Sequence, residues 1–68
     1  MHIGQTLSLY SFDDHENVGR CFDATVMLID PHDGVVTLKE RGKMPVVQTI
    51  RWVVESLAYR RMLVAELA

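Results

Sequence analysis

Two spacings of apolar residues divide this chain. Up to about residue 41 they alternate, as on a half-buried strand. In 5–12, Leu7 and Leu9 lie on one side, with Thr6, Ser8 and Tyr10 on the other. In 20–29, Phe22, Ala24, Val26 and Leu28 share one face, and Cys21, Asp23, Thr25, Met27 and Ile29 the opposite one. In 35–41, Val36 and Leu38 oppose Val35, Thr37 and Lys39. After Met44-Pro45 the spacing lengthens. Val46, Val47, Ile50, Val53, Val54, Leu57 and Ala58 recur at helical intervals, with Gln48, Thr49, Arg51, Glu55, Ser56 and Arg60 across from them. No Gly or Pro interrupts 46–68, so the pattern predicts one long helix over 45–67.

The breaks agree with this division. Asp30-Pro31-His32-Asp33-Gly34 is a turn in which Pro31 presets φ, Asp30 bonds the backbone ahead and Gly34 accepts φ > 0. The polar run Asp13-Asp14-His15-Glu16-Asn17-Val18-Gly19 predicts a loop between the first two strands, and Arg41-Gly42-Lys43 closes the third.

Residues 46–55 carry a competing signal, because Val46, Val47, Thr49, Ile50, Val53 and Val54 are β-branched. Read as a fourth strand, they would convert the fold into a small barrel of the SH3 or Sm type. Three features favour the helix: no turn residue before Leu57, a proline suited to a first helical position, and Arg51 and Glu55 at i, i+4. The expectation is therefore an α+β domain, a three-stranded antiparallel meander packed by a C-terminal helix, with the small barrel as alternative. A 23-residue helix is about 35 Å long, against roughly 20 Å for a short-stranded sheet. Its end overhangs, and Tyr59, Met62, Leu63 and Leu67 then need another surface, supplied by a second copy, a partner groove or the far sheet face beside Met27 and Ile29.

Composition narrows the classes. Sixty-eight residues make one domain, small enough to need a supplement to its core. Cys21 is the only cysteine, so an internal disulfide and a Cys-based zinc site are excluded, and self-association is the natural supplement. Arg51, Glu55, Arg60 and Arg61 prevent the helix from spanning a bilayer, and the start of the chain shows no secretion signal. The expected location is the cytoplasm, with no membrane partner. A formal net charge of -2 argues against unselective nucleic-acid binding.

Candidate chemistry is thin. His15 with Asp13, Asp14 and Glu16, and His32 with Asp30 and Asp33, fall at opposite ends of the second strand, about 30 Å apart. His2 can approach His32 and Asp33, but solvated turn residues explain all three histidines. Cys21 reads as a buried or half-buried structural thiol with no base beside it. Ser8, Ser11 and Ser56 sit in no nucleophile pattern, and the turn glycines Gly19, Gly34 and Gly42 form no phosphate loop. No enzyme, cofactor or metal site is expected. Lys39, Arg41, Lys43 and Arg51 are the alternative nucleic-acid residues, without aromatic residues among them to stack bases.

The stretch from Cys21 to Ile29, continued through Gly34 and ending at Arg41-Gly42-Lys43, resembles a hairpin of a small phage-encoded anti-CRISPR protein. The turn from Ile29 to Val35 is similar to the central hairpin of Sm-like barrels. The first resemblance implies an inhibitor that occludes a partner's surface, and it brings no site residues with it. From the residues themselves the expected function is a non-catalytic protein-binding module, homodimeric, acting through the C-terminal helix. Its interface residues would be Trp52, Tyr59, Met62, Leu63 and Leu67.

Overall fold

The computed structural model describes residues 1–13 and 18–67. Four antiparallel strands, β1 (Thr6–Asp13), β2 (Val18–Asp30), β3 (Val35–Glu40) and β4 (Val46–Thr49), form an open sheet in the order β1-β2-β3-β4. One helix, α1 (Ile50–Leu67), follows β4 without a loop and packs on the sheet, touching chiefly the edge strand β1. The chain is thus the α+β domain that the spacing implies. Asp13, Val18 and Gly19, expected in the polar loop, belong to β1 and β2; the rest of that loop, Asp14, His15, Glu16 and Asn17, lies outside the described residues.

The hairpin between β2 and β3 forms as its turn residues require. The Asp30 carboxylate accepts the backbone N–H groups of His32 and Asp33, each at 3.1 Å. Gly34 turns the chain at a φ of 68°, where a β-carbon is penalised.

Three details differ from simple alternation. The first is a bulge at Met27, between the Val26–Leu38 and Leu28–Thr37 pairs. An extra residue in one strand reverses which side chains face the core. Leu28, expected with Phe22 and Val26, is 63% exposed, and Ile29 packs on the core instead.

The second difference is β4. The β-branched Val46, Val47 and Thr49 pair with β3 in register Leu38–Val46 through Val35–Thr49, the fourth strand of the alternative reading, although for four residues only. The helix starts at Ile50, not at residue 45, because Thr49 is its N-cap: its Oγ1 accepts the Trp52 N–H at 3.0 Å.

The third is the rotation of the helix. Val53 is fully buried among Leu7, Leu9, Ala24, Val26, Val36 and Leu38, with Ile50, Trp52 and Leu57 beside it. Val54 and Ala58, expected in the buried stripe, are exposed, and Ser56, expected on the polar side, is buried. The buried face lies roughly one residue step, or 100°, from the predicted stripe.

Ser56 shows why. A strand at a sheet edge turns alternate N–H and C=O groups away from its neighbour. At Tyr10 both are taken by one hydroxyl: the Ser56 Oγ accepts the Tyr10 N–H and donates to the Tyr10 carbonyl, each at 2.7 Å. One turn further on, the Arg60 guanidinium donates to the carbonyls of Leu9 (3.3 Å) and Phe22 (3.2 Å) and stands 3.6 Å from the Asp23 carboxylate. Tyr59 packs on Tyr10 with ring centroids 4.8 Å apart. The Tyr10 phenol in turn occupies the space over Gly19 that any larger residue would fill.

Ser56→Ala removes the hydroxyl while keeping the helix, and deletes the bridge to both Tyr10 backbone groups beneath α1. The expected loss in chemical denaturation is about 1–3 kcal/mol. A change inside the ordinary surface range of about 0.5 kcal/mol contradicts this role.

Candidate protein-binding surface

Beyond Arg60, α1 is exposed at most positions. Tyr59 and Leu63 are half-buried, whereas Met62 (49%), Val64 (58%) and Leu67 (88%) are exposed. Nothing among the described residues folds this end back toward Met27, which is itself 44% exposed. Of the five expected interface residues, four therefore sit on one stretch of helix. Trp52 does not join them. It lies two turns before Tyr59, half-buried against the core.

Trp52 instead walls a cleft on the part of the core face that α1 leaves open. The cleft holds about 190 Å³ and has an apolar floor of Phe22, Ala24, Leu38 and Val46. This is smaller than the roughly 300–1,000 Å³ of small-molecule sites. Its rim carries charge. Arg20 binds Glu40 through both guanidinium nitrogens, each contact 2.7 Å, with its plane 4.6 Å over the Phe22 ring. Lys43 adds a 3.4 Å contact to the same carboxylate. Hydrogen bonds from Arg20, reinforced by those from Lys43, outweigh desolvation and hold the Glu40 carboxyl down to about 2. The same hydrogen bonding raises the Arg20 guanidinium.

The basic residues are divided. Lys39 donates to the Lys43 carbonyl at 2.9 Å, and Arg41 and Lys43 follow the end of β3. Arg51 begins at the other end, since its neighbour Ile50 bonds the Gly34 carbonyl, and it pairs with Glu55 at 3.2 Å. The six residues of β3, about 20 Å, separate the two groups. The four form no continuous basic track.

Cys21 is exposed, contrary to the expected buried or half-buried thiol, because its face of β2 alternates with the core positions Phe22 and Ala24. The His2 Nδ1 lies 3.1 Å from the Ile3 carbonyl, and His32 is an exposed turn residue. Among the described residues no group of three or more His, Cys, Asp or Glu is arranged to hold a metal ion, and no helix is long and apolar enough to cross a membrane.

Comparison with known proteins gives no matching family model, no similar curated protein and no similar solved structure.

The depressed Glu40 value has a direct consequence. A carboxyl that titrates lower in the folded than in the unfolded chain adds stability above the unfolded value. That contribution disappears as pH falls from about 4.5 toward 2. Acid unfolding of Glu40→Gln should accordingly show a shallower loss of stability across this window than the native chain. Equal slopes would mean that the carboxylate holds no such partner in solution. The pair lies near the surface, so added salt should reduce the difference.

Proposed function

We propose that this chain is a non-catalytic protein-binding module that works as a homodimer and presents the C-terminal half of α1 to a protein partner. The observation that carries the reading is the exposure of Met62, Val64 and Leu67 near the end of α1. Soluble domains seldom leave large contiguous apolar surfaces uncovered, and such surfaces mark interaction sites. Met62 suits this role through its flexible, polarisable side chain, which adapts to varied contacts. The small charged cleft and the dispersed histidines favour binding over chemistry.

A domain of this size also gains from association, because its core comprises few fully buried residues, of which Leu9, Val26, Val36 and Val53 are the largest. Light scattering of the purified chain at micromolar concentration is expected to give twice 7.8 kDa, and a clean monomer contradicts the homodimer. Replacing Met62 and Leu67 together by Glu should leave the far-ultraviolet circular dichroism spectrum unchanged. It should also lower the fluorescence of a hydrophobic-surface dye several-fold. Undiminished dye binding contradicts an accessible docking surface on α1.

A further inference from the structure

The two edges of the sheet are treated differently. At β1, Tyr10 is sealed by Ser56. At β4 nothing comparable is present among the described residues, and the direction of its backbone groups follows from one hydrogen bond. The Ile50 N–H donates to the Gly34 carbonyl at 2.9 Å, continuing the Val35–Thr49 register by one pair. Bonded and non-bonded pairs alternate along an antiparallel ladder. Gln48–Val36 and Val46–Leu38 are therefore the bonded pairs. Val47 and Thr49 turn their N–H and C=O groups outward, and Pro45, directly before the strand, has a carbonyl but no N–H.

We infer that this edge is a self-complementary pairing site, and that two copies join β4 to β4 in antiparallel fashion about a two-fold axis at Val47. The inference rests on the homodimer reading above and assigns its contact to β4, leaving both α1 ends free for a protein partner.

Geometry selects the register. Residues directly opposite each other in a sheet point to the same face. Val46 and Gln48 share the core face through Leu38 and Val36, and Val47 shares the outer face through Thr37. A continuous sheet with both core faces on one side needs like opposite like. Centring on Val47 satisfies this: Val47 meets the second copy's Val47, and Val46 meets the second copy's Gln48.

The hydrogen bonds then balance. Val47 exchanges both of its outward bonds with its counterpart. The Thr49 N–H of each copy meets the Pro45 carbonyl of the other. The N–H that Pro45 lacks would have met the Thr49 carbonyl, which as N-cap already accepts the first bond of α1. No outward group in the paired stretch is left without a partner.

The side chains agree with the backbone. Val46 (52%), Val47 (61%) and Leu28 (63%) are exposed, and Val47 borders a shallow apolar cleft with Leu28, Val35 and Thr37. Residues 44–50 carry no charge, so a second copy meets no like charge within the pair. Lys43 and Arg51, which flank it, are engaged by Glu40 and Glu55. Of the devices that keep an edge strand single, β4 is short and follows Pro45, but it carries no charge.

The test is light scattering of single-site variants at the concentration where the native chain is dimeric. Val47→Lys and Val47→Glu each place like charges opposite one another at the axis. Each is expected to weaken dimerisation about tenfold or more, while their equimolar mixture returns to the dimer mass. The Met62→Glu, Leu67→Glu double variant is expected to remain dimeric. Dimers of undiminished strength in both Val47 variants, together with a monomeric helix variant, overturn the β4 contact and leave association through α1. A native chain that is monomeric throughout the micromolar range overturns the homodimer and the β4 contact together. Circular dichroism distinguishes lost pairing from lost folding, because the Val47 side chain is exposed and its N–H is not bonded to β3.

Discussion

One serine hydroxyl holds the long axis of this domain in place. The Ser56 Oγ bridges the N–H and C=O of Tyr10 and so ties the middle of α1 to the outer strand, the element most distant from β4 across the sheet. A hydroxyl can do this because it donates and accepts at once, whereas an ammonium group only donates and a methyl does neither. Once Ser56 is fixed, the orientation of the helix follows. Val53, one turn earlier, enters the core. Arg60, one turn later, spans the Leu9 and Phe22 carbonyls, and Tyr59 meets the Tyr10 ring. The polar contacts select which face is buried, and the apolar contacts supply most of the driving force.

The cost of that arrangement falls on the rest of the chain. A helix anchored on β1 and begun at β4 crosses the sheet, and beyond Arg60 it is exposed at most positions. The part of the core face it does not cover becomes the cleft of Trp52, Phe22 and Val46, closed at its rim by Arg20, Glu40 and Lys43. A helix lying centrally would cover that face and leave both edges open. The observed helix seals one edge and leaves the other, which is the asymmetry on which both the docking surface and the proposed strand pairing depend.

The first three strands, the hairpin and its turn, and the existence of a C-terminal helix were legible in the sequence, because period-two alternation and Asp30-Pro31 through Gly34 are local signals. The Met27 bulge was not: a one-residue insertion leaves no mark when Met27, Leu28 and Ile29 are all apolar. The boundary at Thr49 was obscured because β-branched valines satisfy both periodicities, although Thr49 itself, three residues before Trp52, was a readable N-cap. Ser56 was assigned to the polar side because periodicity counts side-chain apolarity and cannot see a backbone carbonyl on another strand that a hydroxyl will bond. The exposed helix end was legible as an excess of apolar residues. The outward groups of Val47 became visible only with the register of β3 and β4, since bonded and non-bonded positions look alike in sequence.

Residue-resolved amide hydrogen exchange on the dilute chain tests the edge asymmetry most directly. The Tyr10 amide, donated to Ser56, is predicted to exchange slowly. The Val47 amide is predicted to exchange rapidly when dilute and to gain protection as concentration rises, with Tyr10 unchanged. A Tyr10 amide that exchanges as fast as Val47, or a Val47 amide already protected in the dilute monomer, would contradict a sheet sealed at one edge and open at the other.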